Sequence, residues 1–347
     1  MSELRRDPLS KRWVIIAPKR GERPNDFHSD FTIEAGRQRD AECPFCEGHE
    51  AETLPEVYAH RPHGSQANQP GWQVRVAPNK FPALRSAEEF EIQAEGMHQR
   101  LNGIGAHEVV IETPQHGLSM ADLDAAHLAH VLTAYRQRLQ ALMQDARVRY
   151  VQLFKNHGAG AGASLAHSNA QILTLPVMPG ALSTELRSTH EHYRRTGACL
   201  FCDIIRQEIA SDERIITANE SFVAFAPFAG RMPFEMFVAP WFHQHDFTMI
   251  GDEQIERLAC IIRDSLRRLR AAASDPPYNL VLRTAPNTRS LADPAVSIST
   301  VAPAYHWRFE ILPRLTPLAG FEFGADCYIN PTAPEAAATL LRQSNPG

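Results

Sequence analysis

Four of the six cysteines of this 347-residue chain fall in two C-x-x-C pairs, Cys43 and Cys46 in "CPFC" and Cys199 and Cys202 in "CLFC". Such a pair offers two thiolates from one turn, half of the tetrahedral set a zinc ion takes. In a reducing compartment it reads as a metal knuckle or a redox dithiol rather than a structural disulfide. Histidines complete each set. After the first pair come His116, ending "HEVVIETPQH", and His167 in "AHSNAQILTLP"; after the second come His243, ending "FEMFVAPWFH", and His306 in "YHWRFEILPRL". A redox dithiol would not require paired histidines in both places, so the pattern favours zinc, one or two ions per chain. Each structural zinc would contribute on the order of 10 kcal/mol to folding. His60, His63, His98, His190 and His192 read as ordinary core or surface histidines.

The elements that must position these ligands recur in the same order after each C-x-x-C. "WQVRVAPNKFPAL" and then "HEVVIETPQH" precede a long helical pattern, a strand "RYVQLFKN" and "HSNAQILTLP". In the second round "RIITANESFVAFAPF" and "FEMFVAPWFH" precede a helix, "YNLVLRTAP" and "YHWRFEILPRL". An internal repeat of this kind implies two copies of one supersecondary unit. Leu128, Val131, Leu132, Tyr135, Leu139, Leu142 and Met143 recur at helical spacing, as do Ile255, Leu258, Ile262, Leu266 and Leu269. Asp122 and Asp252 are expected in the first turns of these helices, where carboxylates favour the helix dipole. Strand segments surround each helix, which predicts an α+β fold of duplicated units, each an antiparallel sheet with packed helices. Pro176, Pro179 and Gly180 break the pattern between them, giving units of residues 1–180 and 181–347.

A formal net charge of −5 without a long basic block argues against a nucleic-acid partner, while leaving small phosphorylated ligands open. No apolar run approaches the ~18 residues of a membrane span, and "MSELRRDPLSKRW" lacks the apolar region of a secretory signal. The expectation is a cytoplasmic protein with no membrane partner.

Taken together, "APKRGERPNDF", "CPFC", "APNKFPAL", "TPQHG", "FKNHGAGAGASLAHSNAQ", "PFEMFVAPWFH", "YHWRFEILPRL" and "GFEFGADCYINP" resemble the galactose-1-phosphate uridylyltransferase family of the histidine-triad superfamily. In texture they are closest to its nucleotide-sugar phosphorylase-like members, and the likeness runs through nearly the whole chain. The resemblance implies a zinc-containing nucleotidyltransferase of carbohydrate and galactose metabolism. Its partners would be a nucleotide sugar and a sugar phosphate or phosphate, and the protein would be a homodimer. It further implies that Arg20 and Arg23 meet the diphosphate, that Asn79 and Phe81 border the nucleoside, and that Asn156, Ser164 and Gln171 hold the phosphoryl group under attack. Guanidinium, amide and hydroxyl donors suit those tasks, and the Gly-rich "HGAGAGAS" could offer backbone N–H groups to an anion or be a plain loop.

The family's H-x-H-x-Q motif uses its first histidine as a metal ligand, matched by His167, and its second as the nucleophile that forms a covalent nucleotidyl-histidine. That second position is Asn169 here. A carboxamide nitrogen has its lone pair delocalised into the carbonyl, so it hydrogen-bonds but does not attack phosphorus. Covalent chemistry is therefore expected to be impaired, with three accounts: a removed nucleophile, a catalytically silent nucleotide-binding protein that kept the fold and metal sites, or direct attack by water or phosphate. His157 is a remote substitute base. Where relatives often carry a second H-W-H, this chain has His306-Trp307-Arg308, and Arg308 is either a phosphate contact or a packing arginine. The sugar-contacting Tyr-Glu pair of galactose-handling members is matched by Ala325 and Asp326, which leaves galactose specificity open.

Overall fold

The computed structural model describes residues 2–22, 40–86, 91–289 and 298–344. In the first half run β1 (Glu3–Arg6), β2 (Trp13–Ile16), β3 (Tyr58–His60), β4 (Val74–Pro78), β5 (Ile92–Glu95), β6 (His98–Leu101), β7 (His107–Ile111), helix α1 (Ala125–Leu142), β8 (Tyr150–His157) and β9 (Asn169–Leu175). The second half holds α2 (Gly180–Thr196), α3 (Leu200–Ser211), β10 (Ile215–Ala218), β11 (Phe222–Phe225), β12 (Met236–Pro240), α4 (Asp252–Ala273), β13 (Tyr278–Arg283), α5 (Ile298–Ala304), β14 (Arg308–Pro313), α6 (Gly320–Ala325), β15 (Tyr328–Asn330) and α7 (Pro334–Gln343).

Ten strands form one antiparallel sheet in the order β10-β11-β12-β14-β13-β8-β9-β7-β4-β3. Read from the centre outwards, β8-β9-β7-β4-β3 and β13-β14-β12-β11-β10 are the same order written twice. The expected α+β duplication is therefore a structural fact. The two five-stranded halves meet where β8 pairs with β13, Asn156 facing Asn279 and Lys155 facing Leu280. The strands β1, β2 and β15 make a separate small sheet, and β5 and β6 a hairpin.

The two long periodic helices lie side by side on one face of the large sheet, their apolar stripes joining the strand residues in a single core with Leu128, Leu132, Tyr135, Leu258, Ile262 and Trp307 fully buried. Burial of apolar area, at roughly 25 cal/mol per Å², is what holds sheet and helices together. The first turn of α1 differs from expectation in one detail. Asp124 caps it, accepting from the His127 N–H at 2.7 Å, while Asp122 precedes the helix and pairs with Arg270 at 2.6 Å. A side chain that can reach α4 is held by a guanidinium there, and the position nearer the first free N–H groups takes the cap. Asp252 does stand in the first turn of α4.

A charged group is buried where β7, β8 and β9 converge. Lys155 Nζ lies 2.6 Å from Glu112 Oε2 and donates to Ser168 Oγ at 2.9 Å and to the Asn169 carbonyl at 3.1 Å. The Ser168 hydroxyl donates to the same Glu112 oxygen at 2.6 Å, and Tyr135 donates to the other. Removing one member of a buried ion pair leaves its partner uncompensated. Lys155→Met is therefore expected to lower unfolding free energy by about 3–5 kcal/mol in urea denaturation at pH 7, and adding Glu112→Leu should recover most of that loss.

Candidate functional site

The knuckle "CPFC" folds back on itself, the Cys46 N–H donating to the Cys43 carbonyl at 3.3 Å, and presents both thiols to the end of β7 and the start of β9. Cys43 Sγ lies 3.6 Å from His167 Nδ1, and Cys46 Sγ lies 3.6 Å from His116 Nδ1 and 3.7 Å from His167 Nδ1. Zinc bonds of about 2.3 Å to sulfur and about 2.0 Å to nitrogen hold tetrahedral ligands roughly 3.5 Å apart, so the spacing fits. The other ring nitrogen of His167 donates to the Thr113 carbonyl at 2.7 Å, which leaves Nδ1 with its lone pair toward the thiols. Burial pushes the His167 imidazole down to about 4, so the ring is neutral at pH 7, as a ligand must be. Burial also pushes the Cys43 thiol up to about 11, so a bound cation would displace a proton there.

The second set repeats the first. Cys202 Sγ lies 3.4 Å from both His243 Nδ1 and His306 Nδ1, and the distal nitrogens of these rings meet the Ala302 carbonyl at 2.8 Å and the Pro240 carbonyl at 3.2 Å. A hydrogen bond from Cys202, with further ones from His243 and His306, holds the Cys199 thiol far below its ordinary range. In each set the four ligand atoms lie within 4.8 Å of one another. All eight residues expected as ligands are thus brought together as two groups compatible with zinc.

Beside the first set opens a cleft of about 470 Å³, walled by Pro44 and Phe45 of the knuckle, the β4 exit at Asn79 and Phe81, and Ser164, Asn169 and Gln171. Strand alternation explains the last two: along β9 Ala170, Ile172 and Thr174 are buried beneath the helices, so Asn169 and Gln171 face the other way. Gln171 stands opposite Val109 and Asn169 opposite Ile111, so β7 floors the cleft. The Asn169 amide Nδ2 donates to the His167 carbonyl at 2.8 Å.

The other expected residues stand elsewhere. Asn156 is used to tie the glycine-rich loop, its Nδ2 donating to the Gly162 carbonyl at 3.2 Å and its Oδ1 accepting from Asn279 at 2.8 Å. Three of that loop's N–H groups are not available to an anion: those of Ala161, Gly162 and Ala163 are spent on the Gly158 and Ala159 carbonyls. Gly158, at φ +77°, is required there, since a Cβ would come within 3.2 Å of Pro277. Arg20 is exposed on the 3-10 turn Pro18–Glu22 and does not line the cleft, and Arg23 lies outside the described residues. His157 is far from in-line duty, stacked on Tyr278 with its Nε2 3.8 Å from Asp275.

Arg308 is the clearest departure. Its guanidinium is buried, 2.6 Å from Glu185 and 2.7 Å from Glu310, and lies over the Phe201 and Phe237 rings. Arg308 and Glu310 follow His306 as Asn169 and Gln171 follow His167, so in the second unit the equivalent cleft positions are closed by ion pairs that also take in Arg231 and Glu235. His107 was missed from sequence: its Nε2 lies 2.8 Å from Gln171 Oε1, a cross-strand contact that only the β7–β9 register reveals.

Comparison with known proteins agrees with this geometry. The profile of galactose-1-phosphate uridyl transferase, N-terminal domain, matches residues 1–179. ADP-glucose phosphorylase of Arabidopsis thaliana is 36% identical over 343 residues, 98% of this chain and 92% of that protein. Galactose-1-phosphate uridylyltransferase of Thermotoga maritima is 24% identical over 352 residues, 99% of each. The crystal structure of an ADP-glucose phosphorylase from Arabidopsis thaliana with bound ADP-glucose superposes with a TM-score of 0.82 at 34% identity, covering 99% of both chains. A structure of uridylyltransferase gives 0.73 at 28%, covering 99% of this chain and 97% of that one.

The two ligand sets make separate predictions. Elemental analysis should find about two transition-metal ions per chain in the unsubstituted protein, with Cys43→Ser and Cys199→Ser each losing about one. Prolonged chelation should lower the thermal midpoint in a scan, because metal binding free energy is folding free energy.

Proposed function

The chain belongs to the galactose-1-phosphate uridylyltransferase family, a family of nucleotidyltransferase-type enzymes, and on that premise we propose that it transfers a nucleoside monophosphate from a nucleotide sugar to phosphate or a sugar phosphate in a single displacement. The observation that carries this reading is the cleft itself, in which Asn79, Phe81, Ser164, Asn169 and Gln171 converge beside the Cys43, Cys46, His116 and His167 set. Its size suits a nucleotide, and the Ser164 hydroxyl and the Gln171 amide are donors suited to phosphoryl oxygens. The names of the relatives support the substrate class: an ADP-glucose phosphorylase, also with ADP-glucose bound, and galactose-1-phosphate uridylyltransferases.

In this reading an oxygen of the acceptor phosphate attacks the α-phosphorus and the bond from that phosphorus to the bridging oxygen breaks. The leaving group is the sugar 1-phosphate, and the product is a nucleoside diphosphate or a new nucleotide sugar. Asn169 forms no adduct, since its nitrogen lone pair is delocalised and Nδ2 already donates to the His167 carbonyl. Gln171 and Ser164 donate to the phosphoryl oxygens as charge develops. Zinc in the first set would tie the knuckle to the start of β9 and hold these residues at the cleft, and zinc in the second would hold the other half of the sheet. We also assign residues 1–180 and 181–347 to two units, with the substrate cleft in the first, and infer a homodimer in a reducing, cytoplasmic setting. Among the described residues no helix is long and apolar enough to cross a membrane, and the six cysteines form no disulfide.

Incubation with ADP-glucose or UDP-glucose labelled in the α-phosphate, together with phosphate or hexose 1-phosphate, tests the reading. The label should appear in nucleoside diphosphate or exchanged nucleotide sugar, no label should stay on acid-quenched or base-quenched protein, and a chiral α-phosphorus should invert. Labelled protein or retention of configuration would overturn single displacement. Failure to bind either nucleotide sugar would overturn the substrate class. The same Asn169 amide also favours a second reading, binding without turnover, which is identified by exchange that appears only in Asn169→His. Gln171→Leu should lower kcat by about 10²-fold, the usual scale for one lost donor to an oxyanion.

A further inference from the structure

His107 stands on β7 two residues before Val109, the cross-strand neighbour of Gln171, so its ring leans onto the Gln171 side chain from the back of the cleft. Three contacts define its chemistry. The backbone N–H of Ala83 donates to His107 Nδ1 at 3.2 Å. A backbone N–H can only donate, so Nδ1 carries the lone pair and the neutral ring carries its proton on Nε2. That Nε2 lies 2.8 Å from Gln171 Oε1. The competitor is Asn79, whose Oδ1 accepts from the Phe81 N–H at 2.9 Å and whose Nδ2 therefore turns toward His107, 3.3 Å from the same Nε2. Were Nε2 the unprotonated nitrogen, Asn79 and Gln171 would both donate to it, and the Gln171 carbonyl would swing into the cleft.

We propose that His107 is a positioning residue: through the Ala83 N–H it is held in the Nε2–H form, which captures the Gln171 carbonyl and turns the Gln171 amide N–H groups into the cleft. Among the described residues those N–H groups have no protein acceptor. An amide that faces a phosphoryl group with its N–H edge attracts it, while the carbonyl edge repels it, so the tautomer of a ring outside the cleft sets the sign of the interaction inside it. The consequence for phosphate binding rests on the reading of the cleft given under Proposed function.

Three substitutions separate this role from a merely structural one. His107→Gln can present an N–H where Nε2 stands, His107→Asn can only replace the Nδ1 acceptor that holds the 79–83 loop, and His107→Leu supplies neither. Calorimetric titration with ADP and UDP should show His107→Gln within about threefold of the unsubstituted protein. The Asn and Leu variants should bind about tenfold more weakly, a difference of the size of one hydrogen bond. Rescue by Asn rather than Gln would overturn the proposal and leave His107 as a loop tether. Independently, nitrogen-15 NMR of histidine-labelled protein, with the His107 signals assigned by difference from His107→Gln, should show the Nε2–H form. An Nδ1–H form overturns the proposal. Should the unsubstituted protein bind neither nucleotide, it is the reading of the cleft that fails, and the NMR result alone decides the tautomer and with it the orientation of Gln171.

Discussion

Because successive side chains of a strand point to opposite faces, the run from His167 through Leu175 serves three surfaces at once. Of its buried residues, Ala170 and Ile172 belong to the core beneath α1, and Thr174 is held by the Ala106 N–H, which donates to its hydroxyl at 2.7 Å. Its entry residue, His167, reaches the knuckle thiols 3.6 and 3.7 Å away. Asn169 and Gln171, between those anchors, have no freedom to face anywhere but the cleft. A shift of one residue in the β7–β9 register would send the ligand and the polar pair to the wrong sides together. The buried Lys155, with Glu112 and Ser168 beneath it, holds the Asn169 carbonyl at 3.1 Å and guards that register from below.

The second half applies the same constraint to a different end. β14 repeats the geometry of β9, with His306 on its own thiol pair, yet the two positions that would face a cleft are Arg308 and Glu310. With Glu185 donated by α2, and Arg231 and Glu235 from the loop before β12, the volume is occupied by compensated charge. Buried ion pairs of this kind gain little net stability over apolar packing, but each is costly to break singly. Among the described residues the cleft beside the first Cys–His group is open and its counterpart in the second half is filled by ion pairs, while both halves carry two cysteines and two histidines gathered as a metal site would need.

What could be read from residues alone follows from how local the signal is. The C-x-x-C pairs and the histidines that join them were legible because the order of motifs occurs twice, so each set vouched for the other, and the two long helices were legible from their apolar spacing. The cleft residues Asn79, Phe81, Ser164, Asn169 and Gln171 were reached through motif resemblance. What stayed hidden depends on which strands become neighbours. The β8–β13 junction that fuses the halves, the Asn156–Asn279 contact and the His107–Gln171 contact are cross-strand relations that no spacing announces. Arg308 stayed undecided between a phosphate contact and a packing arginine for the same reason, since its partner Glu185 is 123 positions away in the chain. The glycine-rich loop was left open between an anion nest and a plain loop, because the same glycines that could expose N–H groups also permit the tight turn that takes up those of Ala161, Gly162 and Ala163.

On the proposed reading, Asn169 separates holding a substrate from attacking it. The amide Nδ2 donates to the His167 carbonyl, so the side chain ties itself to the backbone of the ligand residue beside it. That bond needs only a donor, and a carboxamide supplies one as well as a protonated ring nitrogen would. What the amide cannot supply is a second nitrogen with an available lone pair aimed at phosphorus. On the proposed reading, the donors on Gln171 and Ser164 do not depend on the group at position 169, which would bear on the path by which the nucleotide moves. In the proposed single displacement the two reacting oxygens must stand on opposite sides of the α-phosphorus, so the arrangement of the two phosphorylated substrates would take over what a covalent intermediate otherwise divides into two steps.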